Sequence, residues 1–334
     1  MRKQCSRPKK ISLYSKIYAL KRLTMKYILF CLSIFFSQAA FSLTPIKLAL
    51  DWYINPDHAP ILIAEQQGYF KAQGLNVTLI EPTSSSEARN LVLAHQADLA
   101  IDYEPESLIA IGQGLPLVAV GILTPTPLSC LTVLQNTSIK TIKQLKGKII
   151  GYSGGALEAT FLNTELQHEK PSLLPLSMNL SQALLSKKVD AVNGMMRNVE
   201  PIMLAQMGVQ TRLFYPEKNG IPSYAELIFI ADKNHLAPKT IHAFMLAVAQ
   251  GAAYVQTHPQ QSYQDALMLY SKELASSPTI KAQNQAIWLA SAPYFTSHPQ
   301  EYSAQNYQDF MNYLVTEKIL KQPITYSDFF TGVK

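Results

Sequence analysis

The stretch IKLALDWYINPDHAPILIAEQQGYF, residues 46–70, decides the fold. Its opening run, Ile46-Lys47-Leu48-Ala49-Leu50, is mostly apolar and of strand length, and reads as a buried strand of a parallel sheet. The run stops at Asp51-Trp52-Tyr53 and turns through Asn55-Pro56-Asp57. Residues 59–67 then read as a helix with Ile61, Leu62 and Ala64 on or near one face, and Gly68 supplies the stop. In open α/β sheets, ligands bind in the loops beyond the carboxyl ends of the strands. Asp51, Trp52 and His58 are therefore placed where a small molecule would be met.

Outward from this unit the alternation continues. Residues 74–81 read as a strand, Ser84-Ser85-Ser86 as a cap, and residues 88–95 as a helix. A short strand over 97–101 ends at Asp102-Tyr103-Glu104-Pro105-Glu106, followed by a helix over 107–112 and an apolar strand over 115–123. Behind the apolar run 128–134 a second α/β pattern begins. It has a helix near 141–145, a strand over 148–152 and a helix over 156–167 opened by Ser153-Gly154-Gly155. A helix ends at 184–188, and a strand over 189–192 runs into Asn193-Gly194 and on to Asn198. Residues 208–214 make one more strand, 225–231 a returning strand, and 238–334 are helical almost throughout.

Strands alternating with helices imply parallel sheets with right-handed crossovers, so the class is α/β. The two patterns are joined by two extended stretches, near 128–134 and 224–231, which makes two lobes with a cleft and a hinge. The expected organisation is a leader over 1–42, a first lobe from 43–128 plus 232–334, and a second lobe with the crossover strands over 129–231.

The 334 residues carry 29 Lys and Arg, but nine of these fall in residues 1–42, which hold no acid. The remaining 20 stand against 23 acids, a net charge of −3, so the basic balance belongs to the leader and does not argue for nucleic acid. Within the leader, Lys26 precedes an apolar core over 27–36 and Ala40-Phe41-Ser42 offers small residues at cleavage spacing, the pattern of a secretory signal with its core over 26–42. Met25-Lys26 is an alternative start to Met1. Of three cysteines, Cys5, Cys31 and Cys130, only Cys130 would survive cleavage, which excludes an intramolecular disulfide in the mature chain. The expected product is exported and periplasmic.

The segments LDWYINPDHAPILIAEQQGYF, GLNVTLIEP, ADLAIDYEPESLIAIGQGLPL, LKGKIIGYSGG and KKVDAVNG, taken in order, resemble the SsuA/THI-like family. The resemblance covers roughly residues 43–260. It implies the type II periplasmic binding protein fold, two α/β lobes joined by two crossover strands, with a helical C-terminal tail. The family includes periplasmic proteins of ABC importers that capture pyrimidine precursors of thiamine, and also the eukaryotic thiamine pyrimidine synthase. The synthase's cysteine-rich run is matched here by Gly220-Ile221-Pro222-Ser223-Tyr224. Its cofactor-anchoring lysine and its consumed histidine fall on Asp102 and Glu106. The resulting expectation is a binding protein rather than an enzyme, with no cofactor.

A flat aminopyrimidine needs aromatic faces to stack on and a carboxylate to accept from its exocyclic amine. Trp52 is the first stacking candidate, with Tyr103 and Tyr224 behind it. Glu226 interrupts the apolar strand AELIFIA, and the resemblance implies a pyrimidine-reading carboxylate there; an outward-facing strand residue is the other reading. Glu104 is ranked above Glu106, and Asp51 ends the first strand; each also fits a helix-start acid favoured by the macrodipole. His58 reads equally as a ligand contact or a structural histidine. Ser153, Gly154 and Gly155 form either an anion cradle or a simple tight turn, and Asn193 and Asn198 offer amides from the second lobe. The seven histidines show no metal-ligand spacing.

The expected function is an exported, monomeric binding protein that delivers a hydroxymethyl- or formylaminomethyl-pyrimidine to an ABC permease in the inner membrane. The competing readings are a synthase-like enzyme, or a carrier of sulfonates or riboflavin-like rings. An anion carrier calls for Arg or Lys at the strand ends, whereas the ends named here are acidic and aromatic.

Overall fold

The computed structural model describes residues 42–83, 85–166, 171–176 and 179–332. The signal-peptide reading, Cys5, Cys31 and the cap residue Ser84 lie outside the described residues. Among the described residues no helix is long and apolar enough to cross a membrane.

The first sheet contains β1 (Thr44–Ala49), β2 (Leu75–Ile80), β3 (Leu99–Asp102) and β4 (Leu117–Thr124). The second contains β5 (Ser129–Leu134), β6 (Ile149–Tyr152), β7 (Ser172–Pro175), β8 (Ala191–Met196) and β9 (Thr211–Phe214). The chain then returns as β10 (Leu227–Asp232), which inserts between β3 and β4. The orders are β2-β1-β3-β10-β4 and β7-β6-β8-β5-β9. In the first sheet β10 runs antiparallel to both its neighbours, and in the second β5 does the same between β8 and β9. Each sheet thus receives one antiparallel strand immediately after a crossover. β10, grouped from sequence with the second lobe as far as residue 231, is hydrogen-bonded wholly into the first sheet.

The strand pleat explains the core. Successive side chains point to opposite faces, so Leu48 and Phe229 bury on one side of the first sheet while Ala49, Ile228 and Ile230 bury on the other. The first face is covered by the helices Ala59–Gln66 and Pro238–Thr257, the second by Tyr307, Phe310 and Leu314 of the helix Ala304–Thr316. A sheet packed on both faces is why its strands read as near-continuous apolar runs. The edge strand β7 has no counterpart in the sequence reading: it is four residues long, ends in Pro175 and carries too little alternation to be seen.

The lobes are linked by side chains as well as by strands. Asn198, after β8, donates to Asp57 Oδ1 at 2.6 Å and to Ser291 Oγ at 2.8 Å. It is a buried strut between the lobes instead of the ligand-facing amide expected from sequence. On the far side, Thr164 and Tyr313 share a hydrogen bond at 2.9 Å.

Glu165, the last residue of the helix Ala156–Glu165, is buried with Oε2 unpaired. Burial, reinforced by the Glu217 carboxylate, pushes its carboxyl from 4.5 up to about 8. A native pKa above the unfolded value favours the native state at low pH, and that contribution is lost as pH rises towards 8. Glu165→Gln is therefore expected to raise stability at pH 8 by about 1–2 kcal/mol and to flatten the pH dependence between 5 and 8. Urea unfolding at the two pH values checks this; an unchanged pH slope contradicts it.

Candidate ligand-binding cleft

The carboxyl ends of β1 and β3 meet the ends of β5 and β8 across a cleft holding two cavities, of about 270 and 430 Å³. Tyr103, Gly194 and Met196 line both, so the two are halves of one site divided at the Tyr103 ring.

The larger half is walled by Asp51, Trp52, Asp57, Glu200 and Met203. Asp51 lies just past β1, where its Oδ1 meets His58 Nε2 at 2.9 Å and its Oδ2 accepts from the Tyr103 hydroxyl at 2.7 Å. His58 Nδ1 accepts from the Asn55 amide, so Nε2 carries the proton donated to Asp51. Burial would raise the Asp51 carboxyl, but His58 and Tyr103 together hold it below the usual carboxylate range. Trp52 stays 36% exposed, its ring in a T-shaped contact with Tyr53, and lines the cavity.

The smaller half is walled by Glu106, Ser153, Phe161, Asn193, Tyr224 and Glu226. Glu226 is buried, and its Oε2 accepts from the Leu128 amide at 2.6 Å, which ties it to the entry of β5. Burial pushes the Glu226 carboxyl up to about 7. Burial, with the Asp102 charge behind it, pushes Glu106 up to about 8. Tyr224 packs against Phe310 at 4.9 Å between ring centroids and presents its remaining surface to the cavity.

No Lys or Arg lines either half among the described residues. The two arginines nearby are already paired. Arg89 forks onto Asp102 at 2.8 and 2.9 Å, and Arg197 onto Glu217 at 2.9 Å twice while lying over the Tyr215 ring. The site therefore offers π-faces and carboxyls, two of them, Glu106 and Glu226, raised by burial, and suits a flat ring with amine donors.

Of the residues named from sequence, Asp51, Trp52 and Tyr103 line the larger half, and Tyr103, Ser153, Asn193, Tyr224 and Glu226 the smaller. Besides Asn198, four are placed elsewhere. His58 is fully buried and acts on Asp51. Glu104 is turned away, accepting from the Tyr302 hydroxyl at 2.6 Å and the Ala225 amide at 2.6 Å. Two residues further along the helix Glu104–Gly112 a side chain points to nearly the opposite side, which is why Glu106 reaches the cavity and the ranking of the two reverses. Gly154 and Gly155 form a turn at φ of 119° and 106°, yet neither lines a half of the cleft.

That turn is also not an open anion cradle. Glu158, in the first turn of its helix, accepts from the Ser153 hydroxyl and from the Gly154 amide at 2.9 Å. A carboxylate of the chain itself thus occupies the donors that a phosphate would need. Glu158, Asp57 and Glu200 were not singled out from sequence: each is a helix-start acid, and nothing in its local pattern separates it from a capping residue.

A family model described as NMT1/THI5 like matches residues 55–262. A Haemophilus influenzae protein named as a thiamine biosynthesis protein is 33% identical over 91% of this chain and 97% of its own length. A formylaminopyrimidine-binding protein of Halalkalibacterium halodurans is 24% identical over 87% of this chain and 91% of its own. In fold, the periplasmic aliphatic sulphonate binding protein SsuA of Escherichia coli superposes with a TM-score of 0.66 at 15% identity, covering 88% of this chain and 94% of that one. The type II periplasmic binding fold expected from sequence is thereby the fold of this chain.

Other relatives are enzymes by name. One, a 4-amino-5-hydroxymethyl-2-methylpyrimidine phosphate synthase of Aspergillus parasiticus, is 26% identical over 75% of this chain and 76% of its own length. Such relatives overturn the expectation that the chain is not an enzyme. The missing cysteine run and the residues Asp102 and Glu106 do not set it apart from a family that includes named synthases.

Proposed function

The chain belongs to the NMT1/THI5-like family, and from that membership we propose that its cleft captures an unphosphorylated thiamine-precursor aminopyrimidine, of hydroxymethyl or formylaminomethyl type. After export through the leader, the loaded protein presents this ring to an ABC permease in the inner membrane, with closure of the lobes as its working motion. The observation that carries the reading is a cleft lined by no Lys or Arg among the described residues, with Tyr103 shared by its two halves and the carboxyls of Asp51, Glu106 and Glu226 around it. An exocyclic amine donates to an ionised carboxylate, while a protonated carboxyl donates to a ring nitrogen. Elevated pKa values at Glu106 and Glu226 make both forms accessible near neutral pH. The formylaminopyrimidine-binding relative supports the choice of ring.

Trp52 supplies the test. The chain has two tryptophans, and Trp288 is fully buried in the core while Trp52 walls the cleft. Adding a 4-amino-5-hydroxymethyl pyrimidine is expected to quench tryptophan emission saturably, and Trp52→Phe to remove the response. A saturable change that persists in Trp52→Phe would place the ligand elsewhere.

Occupation of the Ser153–Gly154 turn by Glu158 leads to a second expectation. The pyrimidine monophosphate should bind at least about tenfold more weakly than the alcohol, since its charge meets a carboxylate with no compensating cation. Glu158→Gln should narrow that gap. Competition titration with the two ligands reads it directly, and equal or tighter binding of the phosphate would refute it.

A further inference from the structure

At the opposite end of the central strands of the first sheet from the cleft, the starts of β1 and β3 and the end of antiparallel β10 surround a cavity of about 370 Å³. Three side chains from two distant parts of the chain converge on its rim. His95 follows the helix Ser85–Leu93 and is held in the left-handed region at φ 55°, an uncommon conformation for a residue other than glycine. Asp232 closes β10, and His235 lies three residues on. Asp232 Oδ2 stands 2.9 Å from His235 Nδ1 and 3.7 Å from His95 Nδ1, and the two rings meet at 4.2 Å between centroids. One donor atom from each of the three lies within 4.8 Å of the others.

We propose that His95, Asp232 and His235 form a three-ligand site for a divalent transition-metal ion, zinc fitting best, separate from the ligand cleft. Zinc bonds of about 2.0–2.1 Å in tetrahedral geometry separate neighbouring ligand atoms by roughly 3.3 Å. The two distances to Asp232 bracket that value, so small rotations of the exposed imidazoles bring the donors onto one ion. Two imidazoles with one carboxylate favour zinc and its neighbours in the first transition row over magnesium or calcium. The carboxylate is fixed from behind, because the Asn234 amide donates to Asp232 Oδ1 at 2.8 Å; outer contacts of this kind orient metal ligands. Only Asp232 of the three is buried, and the cavity leaves the fourth position to water or an exchangeable group. Asp98 lines the same cavity, but its carboxylate already accepts from the Lys47 amide at 2.7 Å and is not assigned as a ligand.

The test is equilibrium dialysis of the untagged full protein against buffered zinc, with bound metal measured by atomic emission. One zinc per chain is expected at micromolar free metal, with affinity lowered at least tenfold in His95→Ala and in His235→Ala and unchanged in Asp98→Asn. Both histidines are more than half exposed, so the alanine variants are expected to fold, and the Trp52 response to pyrimidine should survive in them. Absence of stoichiometric zinc in the parent protein, or its retention in the double histidine variant, would overturn the proposal. Because metal is read directly, this outcome is independent of which ligand the cleft takes.

Discussion

Glu226→Gln is expected to weaken aminopyrimidine binding by between tenfold and about a hundredfold. A hydrogen bond to a charged group contributes on the order of 1.5–3 kcal/mol, and each ~1.4 kcal/mol is a factor of ten in affinity. The amide keeps an oxygen acceptor for the Leu128 N–H, so the tie to the crossover is preserved and the lost affinity reports the charge. The pH dependence sharpens the expectation. With its carboxyl near 7, Glu226 is largely protonated at pH 5.5 and must ionise before it can accept fully from the ligand's amine. Affinity of the parent protein should therefore fall as pH drops below 7, and the variant should lose that part of the slope. Calorimetry at pH 5.5 and 7.5 separates the cases: unchanged affinity in Glu226→Gln would remove this residue from the site.

Gly251→Ala is expected to destabilise the fold by about 3 kcal/mol. Gly251 sits inside the helix Pro238–Thr257, where the chain crosses the helix Ala59–Gln66. A methyl group there would overlap the Pro60 carbonyl oxygen and press on the Ala64 backbone, with no flexible side chain to give way. Overpacking of a rigid contact costs roughly 1–3 kcal/mol, more when backbone must move. Helix propensity works the other way, favouring Ala over Gly by up to about 1 kcal/mol, so a net loss identifies the close approach as its cause. The helix Ala59–Gln66 begins immediately after His58, so the displacement should also disturb Asp51. A variant as stable as the parent in chemical unfolding would contradict the packing described.

The two-lobed architecture was legible because its signals are local. Residues 46–50 form a short apolar run, the loop at Asp51-Trp52 breaks it, and the helix that follows carries its own stop at Gly68. Strand ends mark where a cleft must lie, which is why Asp51, Trp52, Tyr103, Asn193 and Glu226 were within reach. Direction of a side chain was not. Glu104 and Glu106 flank one proline in the first turn of the same helix, and only the rotation of that helix, together with Tyr302 some two hundred residues away, turns one inward and the other towards the cleft. His58 likewise reads from sequence as a contact or a support, and only the folded chain shows its Nε2 donating to the Asp51 carboxylate. The group His95, Asp232 and His235 has no ligand spacing along the chain, since β10 arrives beside the first three strands only after the whole second sheet has been built.

The most direct measurement is a calorimetric titration of the protein with three ligands: an unphosphorylated 4-aminopyrimidine, an alkanesulfonate and pyridoxal phosphate. A carboxyl-lined and aromatic cleft, with no Lys or Arg lining it among the described residues, predicts one pyrimidine bound per chain with micromolar or tighter affinity, and no measurable heat from either anion. Preferential binding of the sulfonate or of pyridoxal phosphate, or silence with the pyrimidine, would contradict the account.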